Sequence, residues 1–172
     1  MITQYGVIAY DIPEGGSHRI LLITSRETRR WVVPRGNPIP GLSRWHSAAQ
    51  EAFEEAGVTG PVATGESGSY RYKKRRRGGD FASCTVALFP LLVESEHADW
   101  PERRERTRRW CTPAEAAELV EEPGLAQLIL DFDPSRLGTN RETVAIDLQG
   151  SSGRFTMRRL FRRIMTALSP RR

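Results

Sequence analysis

An α/β fold, with a mixed β-sheet covered by helices on both faces, is what this chain predicts, and three observations carry the prediction. Runs of β-formers alternate with turn residues along the chain, one amphipathic helix interrupts them early, and a capped helical segment follows the last of them. At 172 residues the chain has room for one domain with an extension, and not for two full-sized domains. Its apolar fraction of 38% and charged fraction of 27% fit a folded chain and argue against disorder.

The elements follow in order. Tyr5 to Tyr10 and Ile20 to Thr24 read as two strands joined by a turn at Pro13, Gly15 and Gly16, and Trp31 to Val33 reads as a third that Pro34 ends. A loop rich in Gly and Pro runs from Gly36 to Gly41. The next segment has apolar residues at Trp45, Ala48, Ala49, Ala52, Phe53 and Ala56, the three-and-four spacing of a helix, with Gly57 as its C-terminal stop. Val62 to Tyr72, Ala82 to Val93 and the neighbourhood of Trp110 predict further strands; the second is almost continuously apolar and so is expected at the centre of the sheet. Thr112, Pro113 and Glu115 form a capping-box signature for a helix to about Glu122, and Leu125 to Phe132 predicts one more.

Residues 1–133 are therefore expected to form the domain. Residues 134–153 are a linker or an added strand at Val144 to Leu148, and residues 154–172 a tail helix. The tail places Phe155, Met157, Leu160, Phe161, Ile164, Met165 and Leu168 at helical spacing, with Arg158, Arg159, Arg162 and Arg163 between them. A basic amphipathic helix of this kind packs on its own body or on a second copy of the chain; lying on an anionic membrane surface is the less favoured alternative.

The net charge of +5 comes from 26 basic and 21 acidic residues, and the bases bunch at Lys73 to Arg77 and in the tail. Bunching of that kind points to polyanionic partners. No apolar run long enough to span a bilayer and no leader-like N-terminus is present, so a cytoplasmic protein is expected. Cys84 and Cys111 lack metal or redox spacing and are expected as buried thiols. His18, His46 and His97 stand singly, without a nucleophile pattern.

Glu51, Glu54 and Glu55 share one face of the early helix, opposite its apolar stripe. They repel one another and lie near the negative end of the helix dipole, and no basic residue on that face offsets them. A hard divalent cation would reverse the sign of each of these interactions. Mg²⁺ is the expected cofactor, with Mn²⁺ as a substitute.

From Gly36 onward, the segment GNPIPGLSRWHSAAQEAFEEAGV resembles the Nudix box, with Gly36, Glu51, Ala52, Glu54, Glu55, Gly57 and Val58 in register. The likeness covers about residues 4 to 132. It departs at Leu42, where the family has Glu, and at Gln50, where it has Arg. The resemblance implies a Nudix-type α/β/α sandwich and metal-assisted attack of water on a phosphoanhydride of a nucleoside diphosphate derivative. By position in the box, Glu51 and Glu55, with backbone near Gly36, are the implied metal ligands and Glu54 the implied general base. The assignment among the three carboxylates stays open, because coupled carboxylates exchange roles.

Ser25, Arg26, Arg30 and Trp31, with the basic loop, are similar to the diphosphoinositol polyphosphate and diadenosine polyphosphate phosphohydrolases. The implied substrate is a small, densely phosphorylated anion, met by Arg19, Arg26, Arg35, Lys73, Lys74 and Arg76. The alternative is a catalytically weakened Nudix domain that binds nucleotide, polyphosphate or nucleic acid. Three retained carboxylates disfavour nucleic acid, which they would repel unless metal-loaded.

Overall fold

Strands whose alternate side chains are buried on opposite faces organise the chain, and the computed structural model describes residues 1–75, 79–138 and 141–143. In chain order they are β1 (Ile2–Asp11), β2 (Arg19–Thr24), β3 (Trp31–Val32), β4 (Arg35–Gly36), α1 (Arg44–Ala56), β5 (Val58–Thr59), β6 (Pro61–Ala63), β7 (Gly68–Arg75), β8 (Phe81–Leu92), β9 (Ser95–Glu96), β10 (Arg108–Cys111), α2 (Pro113–Leu119), α3 (Pro123–Leu130) and β11 (Arg141–Thr143). The main path of the sheet runs β10-β2-β1-β8-β6-β11, with β3 on β2, β4 on β1 and β7 on β8. Only β1 and β8 run parallel among these pairings, from Ile2 opposite Cys84 to Tyr10 opposite Leu92. The sheet is mixed, as expected, and β8 is central.

Alternation explains why the central strands read as continuous apolar runs. Val7, Ala9, Leu21, Ile23, Ala87, Phe89 and Leu91 pack with the alanines of α1, whereas Ile8, Tyr10, Ile20, Leu22, Val86 and Leu88 pack with Leu125 and Ile129 of α3. The sheet lies between α1 on one face and α2 with α3 on the other. Ala48, Ala49, Ala52 and Ala56 are fully buried and let α1 lie close to the strands. A larger side chain at any of them would overpack this layer by about 1–3 kcal/mol.

The helix ends follow the residues expected to form them. Gly57 takes φ 65 and donates its N–H to the Phe53 carbonyl. Thr112 and Glu115 form the capping box, with Pro113 in the first turn. Two boundaries differ from expectation. The strand expected over Val62 to Tyr72 is split, because the chain turns after Ala63 and re-enters the sheet at Gly68 with φ 145, where a Cβ would lie 2.6 Å from Leu128. The helix expected to reach Glu122 stops at Leu119: Val120 is extended and bridges Trp31, and Pro123 disfavours a helical Glu122.

Cys84 and Cys111 are buried free thiols. No helix among the described residues is long and apolar enough to cross a membrane. Strand β11 extends the sheet beside β6. The strand expected at Val144 to Leu148 and the tail helix from Arg154 lie outside the described residues.

Candidate active site

Helix α1 starts at Ser43, whose hydroxyl accepts the His46 N–H, and carries the three carboxylates in its last two turns. Glu51 is 2% exposed and Glu55 6%, whereas Glu54 is half-buried. Strand β4 lies against this part of the helix. Gly36 sits so close to Glu51 that a Cβ would lie 2.0 Å from the carboxyl carbon. Any side chain there would evict the carboxylate. Gly6 serves the same approach from the other side: β4 pairs with β1 there, and a Cβ on Gly6 would meet the Pro34 carbonyl at 2.7 Å.

Glu55 is held through both oxygens. Its Oε2 accepts the Arg35 backbone N–H at 3.0 Å, and its Oε1 accepts a hydrogen bond from Arg106 Nη2. Burial pushes the Glu55 carboxyl up to about 7; Arg106 opposes that rise, Glu51 and Glu102 add to it, and the Arg35 N–H opposes it weakly. Glu54 Oε1 accepts from Gln50 Nε2 at 2.9 Å, a bond from a neutral donor at the position where the box has Arg. Leu42, at the box's other departure, is 43% exposed.

Arg106 and Arg108 bring the positive charge that the last turn of α1 lacks. No base on α1 offsets the carboxylates, but Arg106, just before β10, bonds Glu55, and Arg108, the first residue of β10, reaches the end of the helix. Arg106 is 6% exposed in its side chain and also donates to Glu102 at 2.7 Å and to the Thr24 carbonyl at 3.0 Å. Arg108 Nη1 donates to the Ala56 carbonyl at 2.8 Å, which places positive charge on the C-terminus of α1. Its guanidinium stacks 4.2 Å from the Trp100 ring centroid, and Trp100 also faces Gly57.

A cleft of about 460 Å³ opens beside these groups, with Glu55, Gly36, Arg26, Arg35, Lys73 and Arg106 in its wall. Arg26 reaches Glu102 at 3.6 Å and Glu105 at 3.5 Å. The Arg35 guanidinium lies 4.7 Å over the Tyr72 ring, and its buried Nη1 has no hydrogen-bond partner among the described residues. Burial would depress the Arg35 guanidinium, but Tyr70, Tyr72 and Glu122 outweigh it and raise it further, so the positive charge persists.

Arg19 is not brought to this cleft; it pairs with Asp11 at the β1–β2 turn, its Nε donating at 3.0 Å, and stacks on Trp110. Lys74 belongs to β7, with its side chain not described, and Arg76 lies outside the described residues. Sequence reasoning did not find Arg106, Glu102 or Gln4. Tyr72 donates its hydroxyl to Gln4 Oε1 at 2.9 Å, and both line the cleft. Only an unusual density of charge from Glu102 to Arg109 marks part of this set in the sequence.

Among the described residues no three His, Cys, Asp or Glu side chains converge as a ready cation cluster. The donor set still fits a hard cation, because Mg²⁺ needs only one or two carboxylates and completes its shell with waters and substrate phosphates. Buried Glu51, against Gly36, and Glu55, on the Arg35 N–H, are such a pair one helical turn apart.

The family model described as NUDIX domain matches residues 3–132. The chain is 32% identical over 133 residues to Nudix hydrolase 12, mitochondrial, of Arabidopsis thaliana, covering 73% of this chain and 66% of that protein. It is 32% identical over 116 residues to Nudix hydrolase 16, mitochondrial, of the same plant, covering 66% of this chain and 64% of the relative. It thus spans just under two thirds of the length of these relatives. In fold it is similar to a C. elegans Ap4A hydrolase in a binary complex, with TM-score 0.57, 21% identity, and 76% of this chain and 93% of that one covered.

Proposed function

Because the chain belongs to the Nudix family, we propose that it is a Mg²⁺-dependent hydrolase that cuts a phosphoanhydride bond in a nucleoside diphosphate-linked or polyphosphorylated substrate. The observation that carries this reading is the burial of two carboxylates one helical turn apart, Glu51 against Gly36 and Glu55 in the wall of an arginine-lined cleft. Burying two carboxylates one turn apart is costly unless cations attend them.

In this reading Glu51, Glu55 and the Gly36 backbone hold the metal, which when bound neutralises phosphate oxygens and acidifies water. Glu54, half-exposed and oriented by Gln50, takes the proton from the attacking water. Arg26, Arg35 and Lys73 in the cleft wall bind the phosphates. The orphaned Arg35 Nη1 supports an anionic occupant, since a buried guanidinium nitrogen otherwise loses a charge-assisted hydrogen bond. Substrates of the diadenosine polyphosphate or diphosphoinositol polyphosphate type fit this basic lining. We also propose that residues 154–172 pack on the body or a second copy and that the protein is cytoplasmic.

The test is a phosphate-release screen across dinucleoside polyphosphates, nucleotide sugars and inositol pyrophosphates, with Mg²⁺ and with chelator. Mg²⁺-dependent turnover that Glu54→Gln lowers by about 10²–10⁴-fold is the expected result. A second reading, a weakened Nudix domain that binds without cutting, is favoured by the neutral Gln50 contact and by solvent-facing Leu42. Tight binding of a phosphorylated ligand with no turnover on any substrate would establish it instead.

A further inference from the structure

Arg106 is one of the most tightly placed charges among the described residues. Its Nη2 bonds Glu55 Oε1, its Nε bonds Glu102 Oε2 at 2.7 Å, and its Nη1 bonds the Thr24 carbonyl at 3.0 Å. The guanidinium therefore occupies the same carboxylate oxygen that a cation bound at Glu55 would approach. The other oxygen already accepts the Arg35 N–H, whose backbone is fixed in β4.

A guanidinium and a divalent ion at one carboxylate repel each other in a wall shielded from water. Arg106 has somewhere to go. Glu102 lies four residues away on its own segment, and the bonds to Glu102 and Thr24 are independent of Glu55. Losing one N–H contact leaves two.

We infer that Arg106 is the internal counter-cation of the carboxylate site, neutralising Glu55 in the metal-free protein and yielding it to Mg²⁺ while remaining anchored to Glu102 and Thr24. This rests on the reading of Glu55 as a metal ligand. Arg106 acts as a positioning residue: it keeps a buried carboxylate in place without metal, and the metal must compete with it. The two roles have opposite signs in metal affinity, because an arginine that only shaped the site would strengthen metal binding.

Calorimetric titration of Mg²⁺ into the full chain separates them, using wild type, Glu55→Gln, Arg106→Gln and Arg106→Lys. We expect Glu55→Gln to weaken binding by about tenfold or more and Arg106→Gln to tighten it by about fivefold or more, with Arg106→Lys between wild type and Arg106→Gln. In chelator Arg106→Gln melts below wild type, and its gain in Tm on saturation with Mg²⁺ exceeds that of wild type. Unchanged or weaker Mg²⁺ binding by Arg106→Gln overturns the inference alone. Wild type that does not bind Mg²⁺, or Glu55→Gln that binds it equally well, removes the reading of Glu55 and the inference with it. Should Arg106→Gln fail to fold, hydrogen exchange at the Arg106 Nη2 protons of the unaltered protein decides the matter. Exchange faster on adding Mg²⁺ supports release from Glu55, and exchange equally slow or slower overturns it.

Discussion

Glu55 makes the metal-free protein sensitive to pH in a direction that can be worked out. Its carboxyl is raised from 4.5 to about 7 in the fold, chiefly by burial. The unfolded chain releases this proton first, so the folded state is favoured while both forms keep it and disfavoured once the folded form must ionise. The contribution is fully present below about pH 4.5 and is lost as pH rises through about 7. A rise from 4.5 to about 7, at about 1.36 kcal/mol per pH unit, corresponds to about 3 kcal/mol. The group is almost fully buried, so solvent screening removes little of it. The assay is urea unfolding in chelator at pH 5 and pH 8 for wild type and Glu55→Gln. Other titrating groups are common to both, so the difference between the two proteins isolates this carboxyl. Wild type should lose about 2–3 kcal/mol more than the variant between the two conditions. A difference between the proteins that stays constant from pH 5 to pH 8 would refute the reasoning.

Replacing Glu54 by Gln should lower Mg²⁺-dependent turnover by about 10²–10⁴-fold with little change in Tm, because the side chain is only half-buried; steady-state kinetics and a melting curve check this. Gly36→Ala should displace the Glu51 carboxylate, which a Cβ would approach to 2.0 Å, and weaken Mg²⁺ binding in a calorimetric titration, whereas Gly65→Ala, at a position with open space, should leave it unchanged. Neutralising Lys73, Lys74 and Arg76 together should raise KM more for long phosphate chains than for a two-phosphate substrate and flatten its salt dependence; equal effects on both would reduce these bases to a general surface charge.

Periodicity made the layers of this fold readable in advance, because a buried strand and an amphipathic helix each write a short-range pattern. The apolar run of β8 and the apolar spacing of α1 announced a central strand and an amphipathic helix, and Thr112 with Glu115 announced the start of α2. The spacing of Glu51, Glu54 and Glu55 along one helix was equally local. The split between β6 and β7 was not legible, since it depends on where each strand meets β8 and not on hydrophobicity.

What the carboxylates experience was decided only in three dimensions. Their burial comes from β4, which reaches α1 because Gly6 and Gly36 lack side chains; their counter-charges come from Arg106 and Arg108, more than fifty residues along the chain. Helical spacing states which residues share a face, but it carries no record of what the rest of the chain lays over that face. Arg19 and Arg26 look alike in the sequence, yet Asp11 holds the first at a distant turn while the second lines the cleft. The sequence by itself determined the elements and the chemistry of α1, because both depend on neighbours a few residues apart. Only the tertiary structure decided which charges meet, because electrostatic partners are chosen by distance in space.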